Sequence, residues 1–227
     1  MGIGIVAANG GQSLSRAGGF TGDITQRVHY FDDFVSGTSA IQNSVNTAIK
    51  TDGVGGVLTL TAAADADAMT TTAPFIDMTK PFAVEFRVKP AAITDAFVVG
   101  LSSTDGFASR SVYGTISGSE VSAYATNRDS ILIGTEFGST DGQLKIAENN
   151  GSGAPPTASI DGKNIVAGEY IRLGFYGDST LVNFTVDGDL ALQYEMTETV
   201  SGPLSAIVNV AEGALDVDWI AATGERT

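Results

Sequence analysis

The chain has 227 residues, 43% apolar and 17% charged, with 12 basic against 26 acidic side chains and a net charge of −14. That acidity argues against nucleic acid and anionic membranes as partners, since both demand a basic surface. The absence of cysteine excludes disulfides and thiolate metal sites, while the apolar content and length are those of a folded chain with a sizeable core.

Residues 1–27 are small and Gly-rich, without sustained periodicity. They read as an N-terminal arm, either frayed or ordered against a partner subunit through Ile3, Ile5, Val6 and Phe20. No basic region precedes an apolar core there, so no signal peptide is expected. The body is expected to be a single domain over 28–227, opened by Val28 to Val35. Ser39 to Thr51 carries Ile41, Val45 and Ile49 at a spacing of four, which fits a short helix or a polar crossover.

From Val54 onward the signals are β. Val57 to Thr61 alternates. Between Pro81 and Pro90, Val84, Phe86 and Val88 share one face while Glu85, Arg87 and Lys89 share the other. Phe97 to Leu101 is a continuous apolar run, as in a strand buried on both sides. Two short strands are expected within Ser111 to Ala125, then strands at Ile131 to Gly134 and Leu144 to Ala147. Asn149 to Ser159, with Pro155-Pro156, reads as a loop. Tyr170 to Met196 is a meander: three alternating runs joined by Gly177-Asp178-Ser179 and Asp187-Gly188-Asp189, and Asp-Gly between such runs is a strong hairpin signal. Strands at Ala206 to Val210 and Ala214 to Ala221 close the chain. About twelve strands with a turn roughly every 8 to 12 residues is the rhythm of a two-sheet antiparallel sandwich. No apolar run approaches the about 18 residues of a membrane-spanning helix.

The body resembles the concanavalin A-like jelly roll of laminin-G and lectin-type domains. The resemblance rests on Pro81 to Val88, on Ala96 to Leu101, on the meander with Val186-Asp187-Gly188, and on the closing Leu215 to Ile220. Tyr30-Phe31-Asp32-Asp33-Phe34 resembles the start of such modules in tailed-phage virion proteins. The resemblance implies an all-β jelly roll over roughly residues 28 to 224. The fold serves lectins, glycan hydrolases and structural modules, so it does not settle function.

Glycan hydrolysis needs two carboxylates flanking the scissile bond. The family's glucanases carry Glu-x-Asp-x-x-Glu on one strand, and no Glu in this chain starts that pattern: Glu85 is followed by Arg87, Glu136 by Gly138 and Glu195 by Thr197 at the second position. Asp216 and Asp218 have same-face strand spacing. They read either as a metal- or sugar-binding pair or as the solvated face of a strand whose Trp219 is core. Asp65 and Asp67 offer two oxygens toward Ca²⁺, too few by themselves for its six to eight ligands. The aspartates of Asp141-Gly142 and Asp187-Gly188-Asp189 read as turn residues. His29 is the sole histidine and no nucleophile elbow accompanies it. Tyr124 beside Asn127 and Asp129 is the strongest cluster for stacking and holding a sugar.

The expected function is therefore that of a non-enzymatic virion protein of a tailed phage. It would decorate the capsid or belong to the tail, attach to the major capsid protein and form a homo-oligomer, with no metal or cofactor. The alternative is a lectin-like glycan-binding adhesion module, and a glycoside hydrolase comes third.

Overall fold

The computed structural model describes residues 27–34, 43–51, 56–62, 68–103, 116–117, 120–121, 129–150, 157–197, 200 and 202–225. Among them are seventeen strands and no helix. In chain order these are β1 (Arg27–Asp32), β2 (Asn43–Val45), β3 (Thr47–Thr51), β4 (Gly56–Thr61), β5 (Ala68–Thr71), β6 (Phe82–Pro90), β7 (Ala96–Ser102), β8 (Ile116–Ser117) and β9 (Glu120–Val121). There follow β10 (Asp129–Thr135), β11 (Gln143–Asn150), β12 (Thr157–Asn164), β13 (Ile171–Gly177), β14 (Leu181–Val186), β15 (Asp189–Glu195), β16 (Ser205–Glu212) and β17 (Ala214–Glu225).

Two antiparallel sheets form the expected sandwich. The first sheet runs β15-β14-β13-β6-β17-β4-β3, with β1 paired to the far half of β17. The second runs β12-β11-β10-β7-β16-β5-β2. Strands adjacent in sequence often lie in different sheets, as β6 and β7 or β16 and β17 do. Their connections are the rims of the jelly roll.

One core lies between the sheets. Val84, Phe86 and Val88 of β6, Phe175 of β13 and Phe184 of β14 belong to the same buried cluster as Phe97, Val99 and Leu101 of β7 and Val208 of β16. Phe175 meets Phe82 edge-on at 6.0 Å and Phe184 at 5.4 Å. Burying each such side chain contributes about 2 to 3 kcal/mol. The meander turns as its residues dictate: Asp187 and Gly188 both have positive φ, 54° and 88°. A two-residue turn with that geometry matches the right-handed twist of the strands it joins.

Three local expectations need correction. The described part of Ser39 to Thr51 is two strands, not a helix: β2 pairs with β5, and β3 pairs with β4. The chain passes from one sheet to the other at Asn46, whose φ is 52°. β-branched Val45, Thr47 and Ile49 favour this over a helical turn. Asn149, Asn150 and Thr157 to Ser159, read as loop, belong to β11 and β12. β12 is an edge strand with one fully buried apolar residue, Ile160. It therefore lacks the alternation that marks a half-buried strand. β5, a four-residue strand, was likewise not expected. No helix among the described residues is long and apolar enough to cross a membrane.

Candidate functional site

The outward face of the first sheet is ordered in rows, because residues opposite one another in register point the same way. One row runs Thr59, Asp216, Lys89 across β4, β17 and β6. The next runs Trp219, Arg87, Arg172 across β17, β6 and β13. Phe31 faces Ala221, which faces Glu85.

Asp216 accepts a hydrogen bond from the Thr59 hydroxyl at 2.7 Å and pairs with Lys89 at 3.0 Å and Lys50 at 3.9 Å. Burial pushes its carboxyl up, but the hydrogen bonds from Thr59 and Lys89 outweigh that and hold it below the ordinary carboxylate range. Lys89 is raised, chiefly by its hydrogen bond to Asp216. Asp218 pairs with the Arg87 guanidinium. That guanidinium lies 4.1 Å from the centre of the Tyr170 ring, with the Lys89 ammonium at 5.0 Å. The cation–π contact and the ion pair together hold Arg87 in place. The carboxylate pair that strand spacing singled out is thus built into ion pairs. Among the described residues no group of three or more His, Cys, Asp or Glu side chains is placed to hold a metal ion.

Trp219 corrects the sequence reading. A bulge in β17 between Val217 and Trp219 shifts the register by one, so that Val217 stays opposite Val88 while Trp219 comes opposite Arg87. The indole is turned out of the core onto the charged face. There its ring centre lies 6.3 Å from that of Phe31, the planes tilted by 35°. Phe31 is 51% exposed. The signal was present but subtle. Leu215 and Val217 demand one phase of alternation and Ile220 and Ala222 the other, so one residue between them must be extra.

The second sheet offers a different outward face. Ser130, Ser102 and Ser205 form a row across β10, β7 and β16. All three are buried, and the Ser130 and Ser205 hydroxyls have no hydrogen-bond partner among the described residues. Most outward positions of β7, β10 and β16 carry small, aliphatic, hydroxyl or amide side chains, such as Gly100, Leu132, Ile207 and Asn209, and a carboxylate, Glu212, stands only at the end of β16, opposite Ala96. Glu148 of β11 is fully buried and accepts from the Tyr194 hydroxyl at 3.1 Å and from the Thr197 backbone at 3.0 Å. It ties β11 of the second sheet to β15 and to the segment that follows it.

The turn aspartates act as turn residues. Asp178 accepts from the Thr180 hydroxyl and backbone and from the Leu181 backbone, which lowers its pKa. Asp141 accepts from Gln143 and Ser139, with the same direction of shift. Asp129, the last member of the expected sugar cluster, begins β10, and its carbonyl accepts from the Ser103 backbone at 2.8 Å. Tyr124 and Asn127, the arm residues Ile3, Ile5, Val6 and Phe20, and Asp65 and Asp67 lie outside the described residues. His29 lies in β1.

No family model and no curated protein matches the sequence. Solved structures do match in fold. The Emp47p carbohydrate recognition domain aligns over 91% of this chain and 100% of its own, with TM-score 0.64 and 11% identity. A β-glucanase of Bacillus licheniformis aligns over 88% of this chain and 98% of its own, with TM-score 0.57 and 12% identity. A carbohydrate esterase from the Shiga toxin-encoding bacteriophage phi24B aligns over 82% of this chain and 89% of its own, with TM-score 0.53 and 14% identity. The chain has the concanavalin A-like, galectin-like jelly-roll fold, one shared by carbohydrate-binding domains and by carbohydrate-active enzymes.

Proposed function

We propose that this chain is a non-catalytic recognition module that uses its jelly roll to bind carbohydrate rather than to cleave it. The observation that carries this is the state of the Asp216 and Asp218 carboxylates. Each is held by a basic side chain, and Asp216 is kept ionised. A glycosidase needs one carboxyl of a facing pair to stay protonated as the acid. On the outward face of the first sheet Glu85 of β6 is buried at 4% exposure. The shared fold of the Emp47p carbohydrate recognition domain supports binding as the fold's use here. The test is incubation with β-1,3-1,4-glucan and laminarin: binding without release of reducing sugar is expected. Sugar release abolished by a single carboxylate substitution would overturn the reading.

A second reading places the module on a tailed-phage virion, as a capsid decoration or tail protein bound to the major capsid protein. It is favoured by the opening Tyr30 to Phe34 segment and by the fold shared with a phage protein. Mass spectrometry of purified virions tests the location. Deleting residues 1–26 tests the arm: loss of capsid attachment from a folded protein is expected, and full attachment by the truncated chain sinks the arm.

A further inference from the structure

We infer that Phe31, Trp219, Arg87 and Asp218 together form a saccharide-binding platform on the outward face of the first sheet. The inference rests on the carbohydrate reading above and gives it an address.

The bulge in β17 places Trp219. It removes the chain's one tryptophan from a core that would otherwise take it and aims it at the surface. Among the exposed large apolar residues, Ile93, Phe137 and Val166 lie in turns and Leu190 in the edge strand β15, whereas Phe31 stands beside Trp219 on the sheet face. Two rings tilted by 35° leave a shallow apolar angle between them. Ala221, opposite Phe31, is too short to cover it.

The rings also have a polar neighbour. Arg87 stands opposite Trp219 in register, and its ion pair with Asp218 is partly open, the side chains 37% and 27% exposed. In register with Trp219, then, stands a forked donor lying over the Tyr170 ring, and paired with it a carboxylate acceptor. A pyranose presents an apolar face of C–H groups and a rim of hydroxyls that both donate and accept, and it satisfies rings and ion pair at once. An apolar protein surface laid here would bury Arg87 and Asp218 without new partners, which is costly. The chemistry therefore selects a sugar over a protein.

Because Trp219 is the only tryptophan, its fluorescence reports this site alone. The full chain is screened on a printed glycan panel that includes laminarin and β-1,3-1,4-glucan, and any retained glycan is titrated in solution. A blue shift and protection from acrylamide quenching are expected. Phe31→Ala and Arg87→Gln, both surface changes, are each expected to weaken binding by about tenfold with melting temperature little changed. Retention of a glycan with unaltered fluorescence and unaltered affinity in both variants overturns the platform and leaves the carbohydrate reading standing. Retention of no glycan overturns both. A fluorescence change with purified capsids and with no glycan assigns the face to a protein partner and likewise overturns the platform.

Discussion

β6 and β7 follow one another in the chain and lie in opposite sheets, yet they are built differently. β6 alternates: its inward residues are core, and outward it carries Glu85, Arg87 and Lys89. β7 is buried at every position, with Phe97, Val99 and Leu101 facing the core and Val98, Gly100 and Ser102 facing the other way. The outward side of one sheet thus holds charge and aromatic rings in register, while the middle of the other carries buried, uncharged side chains. A surface meant to meet something in water needs the first kind of strand. The second kind holds the sandwich rigid beneath it.

Stability measurements can break this contrast, and the largest effect is expected in β7. Phe97→Ala should cost about 4 kcal/mol in urea unfolding, since a fully buried ring leaves a cavity. Next comes Gly134→Ala in β10. An added Cβ would sit 2.0 Å from the Phe97 carbonyl oxygen, and backbone on both strands must shift, for about 2 to 3 kcal/mol. Glu148→Ala should cost about 2 kcal/mol, because the Tyr194 hydroxyl and the Thr197 backbone lose their acceptor in a buried place. Arg87→Ala on the open face should cost about 1 kcal/mol or less, as befits a partly exposed pair. A cost for Arg87→Ala equal to that of Phe97→Ala would show that the outward face is structural, not a surface kept free for binding.

The smallest effect sharpens the contrast through pH. Asp216 has a folded value depressed below its ordinary 3.8. Its contribution is therefore fully present above 3.8 and fades as pH falls through the lower folded value. Asp216→Asn should be less stable than the wild type by about 0.5 kcal/mol near neutrality, and the two should converge in acid. A constant gap at every pH would mean that the Lys89 pairing is not the source.

Much of this was legible in the residues. Period-two runs located β6, β13, β14, β15 and β17, and Asp187-Gly188 announced its hairpin, because alternation and positive φ are local properties. β12 was hidden because an edge strand with a single buried residue, Ile160, carries no pattern. The role of Trp219 was hidden for another reason. Counting by twos from Leu215 puts it in the core and counting back from Ala222 puts it outside, and only the ladder with β6 shows where the extra residue falls. The candidate platform depends wholly on such pairings: Phe31 meets Trp219 and Arg87 meets Asp218 across more than a hundred residues of chain.

The all-β class, the hairpins and the acidic, cysteine-free character were written in the residues, since these follow from side-chain period, turn chemistry and charge. Tertiary structure decided which face carries the aromatic pair and which carboxylates are neutralised. Those outcomes depend on register between distant strands, and a one-residue slip in that register moves a side chain from core to surface.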